Sequence, residues 1–288
     1  MKEEKVVYVT CDLLRPMTRG PYSCQGEKDL NWITGILDKL GIKNRSIWKE
    51  FSTPVDSWLS QECTLEITKP YLELIPDLFR SASCVVGWGL PAGLRQALES
   101  EEILWVSFTR YLWGHRKDLL AVESSSSWLL EAIHQPLPRI QPIWTLDDHL
   151  RTSSLLIVEP PASHDSRIRN GKLHSLNDCV DRILEFGNLG KEMYVFPNDV
   201  VDTGNTSLTL SLLGLHPLNT RLSCFAAYLA SDRVTEVASV DPSLIHITQS
   251  FQKPFHCWNP QQGASALISL RCLKAPSFWD KILNQRAQ

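Results

Sequence analysis

The sequence predicts an α/β protein built from two Rossmann-like halves that face an interdomain cleft, on three observations. Short apolar or β-branched runs alternate with stretches of helical spacing in the first half of the chain, and the same alternation restarts beyond residue 150. Between the two lies Pro136–Thr145, with three prolines in seven residues, the best linker candidate in the chain. At 288 residues the chain is also long enough for two domains of about 140 residues each. Strand–helix alternation of this kind implies parallel sheets covered on both faces. The expected division is residues 1–149 and 150–288.

In order, Lys5–Thr10 is a β-branched run and Cys11–Gln25 a Pro/Gly-broken loop. Glu27–Leu40 carries Leu30, Ile33, Ile36, Leu37 and Leu40 at helical spacing and stops at Gly41. A second strand is expected at Ser46–Lys49, and helical spacing interrupted by Pro70 and Pro76 over Trp58–Arg80. Cys84–Gly89 reads as a strand ending in small residues, Leu94–Glu99 as a helix and Ile103–Phe108 as the next strand. A serine-rich segment, Glu123–Ser127, precedes a helix at Trp128–His134. Beyond the linker, strands are expected at Leu155–Val158, Met193–Phe196, Val234–Ala238 and Pro254–Trp258. Helices are expected at Ser175–Phe186, Leu222–Ala230 and Ser243–Thr248, with closing helices at Ala264–Leu273 and Ser277–Asn284.

Composition excludes several function classes. A formal charge of −3 gives no electrostatic pull toward nucleic acid or an anionic membrane. No apolar run is long enough for a spanning helix, and the first residues lack a signal-peptide core. The 8 cysteines are scattered without a C-x-x-C pair, which points to free thiols in a reducing compartment and against a structural zinc. The expectation is a cytoplasmic protein, at most peripheral to the inner face of a membrane. The 10 tryptophans are read as core or interdomain anchors, with one or two available to line a sugar site.

The chain is organised around Leu155–Gly171: a buried strand, then a Pro-punctuated loop with His164 and Asp165, then polar residues leading to a helix. Ligands of open α/β sheets sit beyond the carboxyl ends of strands, so this loop is a ligand contact and Asp165 its key carboxylate. Four blocks carry a family likeness. They are Val85–Gly93 (V-V-G-W-G-L-P-A-G), Trp105–Arg110 (W-V-S-F-T-R), Leu155–Gly171, and Tyr228–Ser239 followed by Phe251–His256. In this order they resemble the capsule-polysaccharide family of retaining β-Kdo glycosyltransferases, whose segments read "V-x-G-W-G", "E-D-G-F-L-R", "D-x-S-I-x-x-G" and "L-A-x-C-D-x-V-x-T-x-x-S". That family uses CMP-Kdo, a cytidylate-activated keto-deoxy sugar acid. Two stacked Rossmann-like halves are also the GT-B architecture of many nucleotide-sugar glycosyltransferases, although such folds host many functions.

The resemblance implies that Asp165 is the nucleophile of a double displacement, with His164 as acid/base or sugar-carboxylate contact. An N-cap or loop-stabilising aspartate is the alternative. Arg167 and Arg169 suit an anionic donor because a guanidinium pairs bidentately with carboxylate or phosphate; otherwise they form a solvated basic face. Gly87, Trp88 and Ser239 are assigned to donor binding. Gly87 and Gly89 allow close approach of a ligand or form a tight strand-to-helix turn. Ser239 precedes a helix whose free N–H groups would meet a phosphate, or is an ordinary cap. Arg110 would reach the acceptor or sugar from the N-terminal, acceptor-side half. His246 and His256 read as packed residues and Asp147-Asp148-His149 as a hinge or cap feature.

This chain departs from the family where "Y-K-P-H-P" would stand, reading Tyr194–Asp199 (Y-V-F-P-N-D), and Trp105 and Val106 replace the acids of "E-D-G-F-L-R". Three readings follow: a CMP-sugar-dependent glycosyltransferase moving Kdo or a related ulosonic acid to a surface glycan; a catalytically degenerate scaffold in a glycan-assembly complex; and a GT-B enzyme using another nucleotide sugar. No metal or other cofactor is expected, since basic side chains can stabilise the departing monophosphate.

Overall fold

The computed structural model describes residues 5–10, 23–47, 78–90, 92–111, 113, 118–140, 150–151, 153–159, 168–169, 172–173, 176–196, 213–218, 222–258 and 265–284, some of them by backbone alone. These residues form a mixed α/β protein with one mixed and one parallel sheet. The chain divides into two compact units: residues 1–135, 170–172 and 263–288 in one, 136–169 and 173–262 in the other. The first crossing therefore falls at Pro136, where the proline-rich stretch begins, rather than at 149/150. The closing residues, expected in the second half, belong with the first unit.

The first unit contains β1 (Val7–Thr10), α1 (Ser23–Lys39), β2 (Asn44–Ser46), β3 (Cys84–Trp88), α2 (Ala92–Ser100), β4 (Trp105–Arg110), β5 (Leu119–Ser124), α3 (Ser127–Ile133), and, from the chain's end, β13 (Ser265–Ser269) and α7 (Pro276–Leu283). The sheet order is β13-β5-β4-β3-β1-β2. Its β1–β4 core is parallel, but β5 and β13 are antiparallel, so the expected all-parallel sheet is not what forms. The physical reason is connection length. Only residues 111–118 join β4 to β5, too few for the helical crossover that a parallel neighbour requires. Ala264–Leu273, expected as a helix, supplies instead β13 and a short 3-10 turn at Cys272–Lys274. Residues 58–77 of the expected Trp58–Arg80 helical region lie outside the described residues.

Alternation along the central strands sends side chains to two cores. Val7, Val9, Val86, Val106 and Phe108 pack with Ile33 and Leu37 of α1, Leu129 and Ile133 of α3, and Phe278, Trp279 and Ile282 of α7. Tyr8, Val85 and Trp105 pack on the opposite face with Leu94, Ala97 and Leu98 of α2. An ion pair between Arg95 and Glu123 fastens α2 to β5, and the same guanidinium lies 5.5 Å from the Trp105 ring centre.

The second unit contains β6 (Ser154–Val158), α4 (Val180–Asn188), β9 (Glu192–Phe196), β10 (Leu215–Pro217), α5 (Leu222–Ala230), β11 (Val234–Ser239), α6 (Leu244–Ser250) and β12 (Phe255–Cys257). Two short strands, β7 (Ile168–Arg169) and β8 (Lys172–Leu173), pair with each other. The main sheet has the order β10-β9-β6-β11-β12 and is parallel throughout. Leu155, Ile157, Met193 and Val195 meet Ile183 of α4 on one face. On the other, Phe196 meets Phe225 and Tyr228 of α5 at ring separations of 5.2 and 6.2 Å. No helix among the described residues is long and apolar enough to cross a membrane.

Trp279 is 1% exposed, and its Nε1 donates to the Leu273 carbonyl at 2.7 Å. Trp279→Ala is therefore expected to cost about 3–5 kcal/mol, in the stability of the first unit. Urea denaturation followed by circular dichroism checks this.

Candidate functional site

In the second unit β6 comes first in the chain and lies in the middle of the sheet. The strands that follow go first to one side (β9, β10) and then to the other (β11, β12), so the direction of winding reverses between β6 and β11. Ligands of open parallel sheets bind at such a reversal, outside the carboxyl ends of the strands. Four terminal residues line that edge in register: Phe196, Val158, Ser239 and Cys257. Main-chain bonds extend the lattice one residue further. Glu159 N donates to Phe196 O at 3.1 Å and Trp258 N to Ser239 O at 2.7 Å.

Ser239 lies where a donor contact was expected, but its hydroxyl is used within the chain. It is 1% exposed, donates to the Val158 carbonyl at 2.7 Å and accepts from the Asp241 N–H at 3.1 Å. The bond to Val158 bridges the two strand ends at the reversal. Asp241, also 1% exposed, accepts from the Ser243 N–H through Oδ1 at 2.9 Å. Two N–H groups of the β11–α6 turn are thereby satisfied by the chain's own oxygens, and α6 has only 7 residues. Asp241 was not singled out from sequence, although Asp241-Pro-Ser243 ahead of an apolar run is a turn-and-cap signal.

The chain leaves the same edge at Glu159 and enters residues 160–167. His164, Asp165 and Arg167 lie outside the described residues. Arg169 is the second residue of β7, with its backbone placed and its side chain outside the description.

The first unit has its own reversal, between β1 and β3. Thr10, Gly87 and Ser107 are in register there. A Cβ on Gly87 would stand 2.2 Å from Leu90 Cδ2 and 2.5 Å from the Thr10 carbonyl oxygen. The group that approaches Gly87 closely is thus the protein itself, which favours the tight-turn reading. Gly89 adopts φ +58 and closes the turn, with Gly89 N on Phe108 O and Leu90 N on Ser107 Oγ, both at 2.9 Å. Trp88 is half-buried against the core that α1, α3 and α7 cover. Arg110 ends β4 two residues beyond Phe108, the register partner of Trp88, so Gly87, Trp88 and Arg110 share one sheet edge. The Arg110 side chain is outside the description.

Away from these edges, Glu236 bridges Lys191 and His256, with His256 Nε2 at 2.7 Å from Oε2, and the Phe186 ring lies edge-on to the imidazole at 5.0 Å. Burial, then the Lys191 ammonium, pushes the His256 pKa below its ordinary 6.5. His246 is buried, as expected of a packed residue. Cys84, Cys179, Cys257 and Cys272 are free thiols, and burial drives the Cys84 thiol far upward. No group of His, Cys, Asp and Glu suited to a metal ion occurs among the described residues.

No family model matches the chain, and no curated protein matches it.

Two outcomes follow from this geometry. Ser239→Ala leaves a buried carbonyl and a buried N–H without their partner, so a loss of about 1–3 kcal/mol is expected; urea denaturation together with hydrogen exchange at the Asp241 amide reads it. For His256, the folded state holds the imidazole proton more weakly than the unfolded chain does. Its contribution is complete above pH 6.5 and is lost as pH falls through the lowered folded value. His256→Gln is expected to flatten the acid side of the stability profile of the second unit, measured by denaturation across that range.

Proposed function

We propose that this chain is a glycosyltransferase of GT-B type that moves Kdo, or a related ulosonic acid, from a CMP-activated donor to a surface glycan with retention of configuration. The observation that carries the reading is topological. The central strand β6 ends at the winding reversal of a parallel sheet and hands the chain, at Glu159, directly to the stretch containing His164 and Asp165. Two compact units, each built on an α/β sheet, and the ordered resemblance of four sequence blocks support it.

In this reaction the Asp165 carboxylate attacks the anomeric carbon as the bond to the CMP phosphate breaks, and the electron pair leaves on the phosphate oxygen. A glycosyl ester remains. An acceptor hydroxyl, deprotonated as it attacks, then displaces Asp165 from the opposite side and restores the original configuration. His164 is the base in that second step. Arg167 and Arg169 pair with the phosphate and the sugar carboxylate.

A specific observation favours a second reading, that of a scaffold which has lost catalysis. Ser239 and the first N–H groups before α6 are consumed internally, and Asp241 adds a carboxylate at the edge where the donor phosphate would approach.

CMP release from CMP-Kdo, followed with and without a glycan acceptor, separates the two. The enzyme releases CMP, and intact mass detects a sugar ester on wild-type protein. Asp165→Ala is expected to lower release at least about 10³-fold, as removal of a catalytic nucleophile does, with an unchanged Tm. A wild-type protein that neither binds CMP by calorimetry nor releases it establishes the scaffold instead. A large drop in the Tm of Asp165→Ala makes Asp165 a structural cap.

A further inference from the structure

The end of α3 and the chain's closing segment meet in a way that the proposed transfer reaction does not use. His134 is the C-cap of α3, and its N–H donates to Leu130 O at 3.0 Å, which fixes the ring at the helix end. Its Nδ1 accepts the Leu267 N–H of β13 at 3.1 Å. The next residue continues the contact. Gln135 N donates to Leu267 O at 2.8 Å, its Oε1 accepts from Ser269 N at 3.1 Å, and its Nε2 reaches Cys272 Sγ at 2.9 Å. Since β13 ends its sheet, these bonds satisfy backbone groups of an edge strand that β5 cannot reach.

Position in the chain gives the contact its consequence. Gln135 is the last residue of the first unit's opening segment, and Gly263 begins the closing segment of that same unit. The clasp joins these two segments within the first unit. The imidazole of His134 is the acceptor in it whose capacity depends on protonation. Nδ1 can accept the Leu267 N–H only while it carries no proton, which requires the neutral Nε2–H tautomer.

We propose that His134 is a pH-sensitive latch on the closing segment: its neutral Nδ1 holds the outer edge of β13 to the end of α3, and protonation in the mildly acidic range releases that edge. Burial lowers the His134 pKa below its ordinary value, in the direction that keeps the latch closed at neutral pH. The other charged or titratable groups on and around the elements packed here are Glu131 on α3, Asp118 and Glu123 on β5 and its approach, Asp280 and Lys281 on α7, and Arg271, Cys272 and Lys274 after β13. Of these, Lys281 reaches the same helix end, donating to Ala132 O at 2.9 Å.

The test is hydrogen exchange of the full chain at about pH 7.5 and about pH 5, either side of an ordinary imidazole, corrected for intrinsic exchange rates. Amides of residues 265–270 are expected to lose about tenfold in protection at the lower pH, the size of one backbone hydrogen bond, while the β3–β4 pair keeps its protection. In His134→Asn, whose Oδ1 is an acceptor at both values, protection of 265–270 is expected to be independent of pH. Equal protection in the wild type at both pH values overturns the latch, as does a pH-dependent loss that survives in His134→Asn. Parallel loss in the β3–β4 pair also overturns it, because the whole unit would then be loosening.

Discussion

A parallel strand has to be buried on both faces, and this requirement governs most of what the chain does. In the first unit β1, β3 and β4 place residues such as Val86 and Val85 in opposite cores, so each face needs a cover. One face takes α2. The other takes α1 and α3, together with a helix from the far end of the chain. Without α7 the apolar side chains around Phe108 and Val106 would lose Phe278, Trp279 and Ile282 as neighbours. The closing segment is thus part of the first unit's core, so the chain has to return to that unit after building the second. The latch at His134 joins the opening and closing segments of that unit.

The carboxyl edges of the two sheets show how the same backbone plan is put to different local use. At the first reversal, Gly87 has no room for a side chain because the Thr10 carbonyl and Leu90 already fill the space. At the second, Ser239 and Asp241 fill the donor and acceptor positions that a bound anion would otherwise meet. In both cases an apparent ligand-binding feature is satisfied internally. The stretch that follows Glu159 is where the sequence concentrates His164, Asp165, Arg167 and Arg169.

Much of this fold could be read from residue order, and the failures have physical causes. β1, β3, β6 and β9 are largely apolar runs because they lie inside their sheets, and burial on two faces leaves a plain signature. Ala264–Leu273 was ambiguous because a short apolar run suits a buried helix or a strand equally. Its choice is made by β5, whose residue Ala121 pairs with Leu267 from far away in sequence. The site shows the same division. That Ser239 ends a strand was legible from composition. That its hydroxyl binds Val158, 81 residues earlier, depends on which strands lie side by side, and no local pattern carries that information.

Electrostatics sets the condition that the catalytic reading has to meet. Two unit charges of like sign about 4–8 Å apart repel by about 2–4 kcal/mol at an effective dielectric near 20. On the catalytic reading, a donor with both a phosphate and a sugar carboxylate would meet that penalty from the Asp165 carboxylate. Binding then requires compensation from cations, and the arginines nearest Asp165 in sequence are Arg167 and Arg169. A bidentate guanidinium contact to each anionic group is of the magnitude needed. On the catalytic reading Arg167, Arg169 and Asp165 therefore act together: without the arginines' contacts the fold would stand, and a doubly anionic donor would be repelled.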